Sequence, residues 1–101
     1  MLKTHDEVEH EERSGRIRDT VERRMKRAEK SYENEEEPET VFDDFVHAVR
    51  PMTDAGVGPG DVQIYPDDLA RRMYDHGEND FSEVWEEACE RTGAERTQDT
   101  P

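Results

Sequence analysis

Four residues near the amino terminus have side chains that could bind a metal ion. His5, Asp6, Glu9 and His10 are spaced so that residues four apart would share one face of a helix, which is a spacing that metal sites can use. No cysteine lies nearby, and the surrounding segment is strongly charged. We therefore predict a solvated surface here and no metal site.

The single cysteine, Cys89, follows Trp85 by one helical turn. Its place on the predicted apolar face of this helix favours a small core residue over a nucleophile. One cysteine also excludes a disulfide within the chain. The sequence contains no phosphate-binding loop and no zinc-protease or serine-hydrolase motif. The prediction is a protein that is not an enzyme, with no catalytic residues, cofactor or metal.

Residues 13–30 show a reversal of charge. They hold eight basic and three acidic residues, in a chain whose net charge is −14. On a helical wheel, six of the eight basic residues fall on one side, and no carboxylate of the segment shares that side. We call this set the basic face: Arg13, Arg16, Arg23, Arg24, Arg27 and Lys30.

An apolar stripe runs beside the basic face, with spacings of 4, 4, 3 and 4 residues. It consists of Ile17, Val21, Met25, Ala28 and Tyr32. These residues fall within an arc of about 80°, which is narrower than the buried face of a typical core helix. The stripe therefore predicts a helix that lies on a partner or pairs in a coiled coil.

Three interpretations of the basic face remain open. The first is a solvated helix with ion pairs at the i,i+4 spacing: Glu12–Arg16, Asp19–Arg23 and Glu22–Lys26. The second is docking onto an acidic protein surface, either in a sister subunit or in the protein's own body. The third is binding of nucleic acid through contacts with phosphates. We favour the second, with the basic face and the apolar stripe together as the partner-binding residues.

A helix-turn-helix over residues 66–92 is a weaker alternative. Its second helix would present Glu83, Glu86, Glu87 and Glu90 to the DNA phosphates, with only Arg91 opposing them. We therefore do not expect DNA recognition by this segment.

The elements that must position these residues are helices, so we predict an all-α fold, a small bundle of three short helices preceded by a long amphipathic helix. Pro38 opens the second helix, Pro51 is expected to kink or end it, and Gly56 is a plausible stop. Residues 62–65 alternate apolar and polar side chains and are predicted to run extended. Pro66 opens the third helix, which Gly77 closes.

The fourth helix has the clearest start signal in the chain. Asp80, with Glu83 three residues later, fits a capping box. Its predicted buried face is Phe81, Val84, Trp85, Ala88 and Cys89, and Gly93 is expected to end it. The predicted organisation is a frayed acidic segment over 1–15, the long amphipathic helix over 16–37, a helical body over 38–93 and a disordered tail over 94–101.

Composition adds an expectation about solvent. The 28 acidic residues are scattered over every segment, and lysine is depleted, with three Lys against 11 Arg. This distribution is typical of proteins from cells that accumulate salt, where screening removes the self-repulsion of an acidic chain. A nucleic-acid mimic and an acidic protein of ordinary salinity are the alternatives.

No segment has the length of apolar sequence that a membrane span or a signal peptide requires. We therefore predict a soluble, cytoplasmic, high-salt-adapted protein that binds a protein partner, with a homo-oligomer favoured and no membrane association. A nucleic-acid-binding regulator is the alternative.

Overall fold

The computed structural model describes the backbone of residues 5–98 and the side chains of residues 11–94, and all of its regular structure is helical. The described residues form four α-helices and one short 3₁₀ helix. The bounds are α1 His5–Glu33, α2 Pro38–Ala55, the 3₁₀ helix Pro59–Val62, α3 Pro66–Asp75 and α4 Phe81–Gln98. The prediction of an all-α fold is confirmed. Helix α1 begins well before residue 16, so it continues through Gly15.

The centre of the bundle is α2, which packs against α1 on one side and α4 on the other. Its buried residues are Val41, Phe45, Val46, Ala48, Val49, Met52 and Thr53. Pro38 occupies its first turn, and Gly56 ends it in the left-handed conformation (φ 71°), where glycine meets no steric penalty. The Gly56 N–H donates to the carbonyls of Met52 and Thr53.

Helix α2 does not end at Pro51. Proline has no N–H, so the carbonyl of His47, four residues earlier, loses its helical donor. Arg24 of α1 supplies the replacement, because its Nη1 donates to the His47 carbonyl oxygen at 3.0 Å. Of the two outcomes expected at Pro51, a kink or an end, the end is therefore wrong, and the predicted stop at Gly56 is where the helix closes. The Arg24 contact also joins α1 to α2.

The apolar stripe of α1 belongs to the core. Val21, Met25 and Ala28 are fully buried together with residues of α2, α3 and α4, and Ile17 packs against the same cluster. This corrects two predictions. The body does not begin at residue 38, because α1 is part of it, and the four residues Ile17, Val21, Met25 and Ala28 are not displayed to a partner.

Residues 62–65 do not form a continuous extended segment, because Val62 belongs to the 3₁₀ helix and Gln63 is left-handed (φ 61°). Gly58 donates its N–H to the Asp61 side chain at 2.8 Å, which closes a tight turn, and Ile64 donates to the Pro59 carbonyl at 2.9 Å. Val62 and Ile64 are both buried by this turn. The apolar residues that suggested an alternating strand therefore cap one end of the core.

Helix α4 begins where predicted, since Asp80 accepts a hydrogen bond from the Ser82 N–H at 2.9 Å. Its buried positions are Val84, Ala88 and Thr92, whereas Cys89 is exposed. Cys89 lies about 100° from the centre of that face, so the predicted core role is wrong. Gly93 does not end α4 either, because the helix continues to Gln98.

The buried hydroxyl of Thr92 gives the physical reason for this continuation. Thr92 Oγ1 lies 3.1 Å from Thr53 Oγ1 and donates to Asp54 Oδ1 at 2.7 Å. These bonds hold the last turns of α4 against α2. A glycine inside a helix costs only about 1 kcal/mol relative to alanine, which such contacts offset. The segment predicted as a disordered tail is therefore helical over 94–98, and residues 99–101 lie outside the described residues.

Candidate protein-interaction surface

Two carboxylates on the acidic side of α1 are bound by an arginine of α3. Arg72 donates from Nη1 to Glu22 Oε2 at 3.1 Å and from Nη2 to Glu29 Oε1. Both Arg72 and Glu29 have side chains less than one-fifth exposed. The hydrogen bond to Glu29 is the main reason that the pKa of Arg72 is raised, and it outweighs the opposing effect of burial. One guanidinium thus bridges two carboxylates of the neighbouring helix.

This ion-pair cluster extends along α3 by one turn. His76 Nε2 lies 3.7 Å from Glu29 Oε2, and its Nδ1 lies 2.8 Å from the Arg72 carbonyl. The ring of Tyr32 meets the His76 ring edge-on, with centroids 5.7 Å apart. The last turns of α1 are therefore anchored to α3 by charge and by an aromatic contact.

The i,i+4 pairs expected along α1 do not account for its basic residues. Glu22 binds Arg72 and not Lys26. In the part of the chain with described side chains, neither Glu12 with Arg16 nor Asp19 with Arg23 comes within 4.0 Å. The basic members of these predicted pairs, Arg16, Arg23 and Lys26, are consequently exposed to solvent.

The basic face is exposed for most of its length. Five of its six members are exposed: Arg13, Arg16, Arg23, Arg27 and Lys30. No described carboxylate lies within 4.0 Å of these five side chains. Arg24, the sixth, is partly buried by its hydrogen bond to α2, and its pKa is lowered first by burial and then by Arg23. From Arg13 to Lys30 the face extends about 26 Å along the helix.

Helix α2 widens this surface. His47 is exposed and lies near Arg24, Arg27 and Arg50, and its pKa is lowered by partial removal of the ring from water and by these three cations. Asp44 acts in the opposite direction and raises it. Helical spacing within α1 does not predict that His47 and Arg50 of α2 lie next to the basic face. The available signal was Pro51, whose missing N–H leaves a carbonyl that attracts a cation.

The structure therefore divides the predicted partner-binding residues into two groups. The basic face is on the surface, whereas most of the apolar stripe is in the core. Tyr32 lies between these groups, with 45% of its surface exposed. It borders a cleft of about 520 Å³ that is also lined by Glu33, Pro38 and Val41.

The remaining candidates are the amino-terminal histidines and carboxylates, other metal sites, and membrane spans. The side chains of His5, Asp6, Glu9 and His10 lie outside the described residues. Among the residues with described side chains, no group of three His, Cys, Asp or Glu is arranged to hold a metal ion. In the described helices, none combines the length and apolarity of a bilayer span.

Comparison of the chain with protein-family models, with curated proteins and with solved structures gave no match.

Proposed function

We propose that this protein is a non-enzymatic, high-salt-adapted interaction protein whose basic face binds an acidic protein surface, either on another protein or on a sister subunit. One observation carries the proposal. Two carboxylates of α1, Glu22 and Glu29, are bound internally by Arg72, whereas five cations on another side of the same helix face solvent with no described carboxylate within 4.0 Å.

The chemistry of the face suits carboxylates. Five of its six members are arginines, whose planar guanidinium groups bind carboxylates through two parallel hydrogen bonds. Guanidinium is also more weakly hydrated than ammonium, so it loses less when water is excluded from a contact. Direct pairs of this kind persist at salt concentrations that abolish long-range attraction, because the screening length of about 3 Å at 1 M salt is close to the contact distance.

An acidic protein fits the expected salt conditions better than nucleic acid does. Phosphate binding weakens steeply as salt rises, which removes it under the conditions that this composition favours.

The test uses matched charge reversals. Arg23→Glu with Arg27→Glu changes the basic face, and the control, Lys26→Glu with Arg71→Glu, makes the same charge change at exposed positions elsewhere. Binding of fluorescent poly-L-glutamate and molar mass by sedimentation are measured in multimolar KCl. We expect the face variant to lose poly-L-glutamate binding, and any self-association of the wild type, while the control retains both.

Equal losses in the two variants would contradict the proposal, because they would show an effect of net charge alone. The proposal would also be contradicted if the wild-type protein does not bind poly-L-glutamate and is monomeric at micromolar concentrations. Tight binding of random-sequence duplex DNA, lost log-linearly with salt and abolished only in the face variant, would move the function to nucleic-acid binding.

The salt adaptation is tested separately. A net charge of −14 on a small core should make the folded state repel itself in dilute buffer. We expect the helical circular dichroism signal and the thermal midpoint to rise from dilute buffer to multimolar KCl. Equal or greater stability in dilute buffer would remove this part of the proposal.

A further inference from the structure

A second surface lies on the flank of α3 that faces away from α1. Arg72 and His76, four residues apart, point to the carboxylates of α1. Ala70 and Tyr74 are also four apart and occupy the other flank, where they border the start of α4. Between α3 and α4 runs a groove of about 660 Å³, whose apolar wall is Ala70, Tyr74 and Phe81.

This groove carries exposed aromatic surface. Tyr74 is 61% exposed, and Phe81 is only partly buried against the core. The Phe81 ring packs on the ring of Trp85, with centroids 5.8 Å apart. Aromatic side chains gathered at a groove mark sites of interaction, since a partner that covers them removes a large apolar area from water.

The rim of the groove is acidic. Glu78 and Asp80 line it, and Asp75 and Glu83, which adjoin lining residues in sequence, are exposed. Arg71 is the one cation among the described lining residues, and it already lies 3.5 Å from Asp68. An occupant therefore has to combine apolar side chains with positive charge.

We propose that this groove binds a basic amphipathic helix of a partner protein. Its apolar side chains would enter between Tyr74 and Phe81, and its Lys and Arg side chains would meet Glu78 and Asp80. Helix α3 is about 15 Å long, which matches nearly three turns of such a partner. The surface is separate from the basic face, so the protein can join an acidic partner to a basic one.

The experiment uses a synthetic amphipathic helix of leucine and lysine as the probe. Trp85 is the only tryptophan and packs on Phe81, so its emission reports on the groove in the full-length protein. A leucine–glutamate helix of the same pattern tests the charge requirement. Tyr74→Ser removes the exposed wall, and Tyr65→Ser, at a position that is 80% exposed outside this groove, is the matched control.

We expect saturable binding of the leucine–lysine helix in multimolar KCl with a change in Trp85 emission, and none of the leucine–glutamate helix. Tyr74→Ser should weaken binding about tenfold, with unchanged helical circular dichroism, whereas Tyr65→Ser should not. The proposal is overturned if the leucine–lysine helix does not bind, if the glutamate helix binds as well, or if both tyrosine variants respond alike.

Discussion

The two flanks of α1 carry opposite charges and are used in opposite ways. On the acidic flank, Arg72 of α3 holds Glu22 and Glu29 through hydrogen bonds. On the basic flank, Arg24 alone is bound by a neighbouring helix, and the cations around it face solvent. The role of a charged helix face therefore depends less on the sign of its charge than on whether the adjoining element supplies a counter-charge.

The largest expected effect concerns the stripe that separates the two flanks. Met25→Ala removes a fully buried side chain, so it should lower the free energy of unfolding by about 2–5 kcal/mol. Lys26→Ala, the adjacent exposed position, should change it by no more than about 0.5 kcal/mol. Chemical denaturation in high salt measures both. Equal, small effects would mean that α1 is not part of the core.

The acidic flank comes next. Arg72→Met leaves Glu22 and Glu29 without their shared counter-charge, and should cost about 1.5–3 kcal/mol of stability. Arg71→Met is the control, because Arg71 is 74% exposed and pairs only with Asp68 in its own helix. A cost for Arg71→Met as large as that for Arg72→Met would show that α3 is not held to α1 by this cluster.

A smaller effect tests the single structural bond of the basic flank. Arg24→Met should cost about 0.5–1.5 kcal/mol in the wild-type background, because the His47 carbonyl loses its donor. In a Pro51→Ala background, the restored N–H of residue 51 can satisfy that carbonyl, so the cost should shrink. Equal costs in both backgrounds would refute the link between Pro51 and Arg24.

The smallest effect is a pH dependence from His47. Its pKa in the folded state is lowered from the unfolded value near 6.5, so the unfolded chain takes up a proton first as the pH falls. Stability from this group is therefore greatest above about pH 6.5 and declines as the pH drops through the folded pKa. His47→Gln should flatten this part of the profile, as measured by thermal unfolding between neutral and mildly acidic pH. An unchanged slope would exclude His47 as its source.

Much of the helical framework could be predicted from local signals. Gly56 and Asp80 act where the sequence places them, since each satisfies backbone groups of its own helix end. Local signals failed where a distant residue intervened. Pro51 does not end α2 because Arg24 reaches across from α1, and Gly93 does not end α4 because Thr92 bonds to α2.

The candidate site could be predicted only in part, for a similar reason. Helical spacing correctly gathered the cations of the basic face on one side of α1. The same spacing could not show that Val21 and Met25 would be covered by the chain itself, because that depends on the packing of α1 against α2. Nor could it show that His47 would join the cations, since this follows from the pairing of α1 with α2.

The most direct test of the account is nuclear magnetic resonance of the arginine side chains during titration with poly-L-glutamate in high salt. We predict that the Nε–H signals of Arg23 and Arg27 shift, that the Arg72 signal stays in place, and that the pKa of His47 rises as carboxylates offset its cationic neighbours. Shifts confined to Arg72, or no shift at Arg23 and Arg27 at saturating poly-L-glutamate, would contradict the assignment of the basic face as the binding surface.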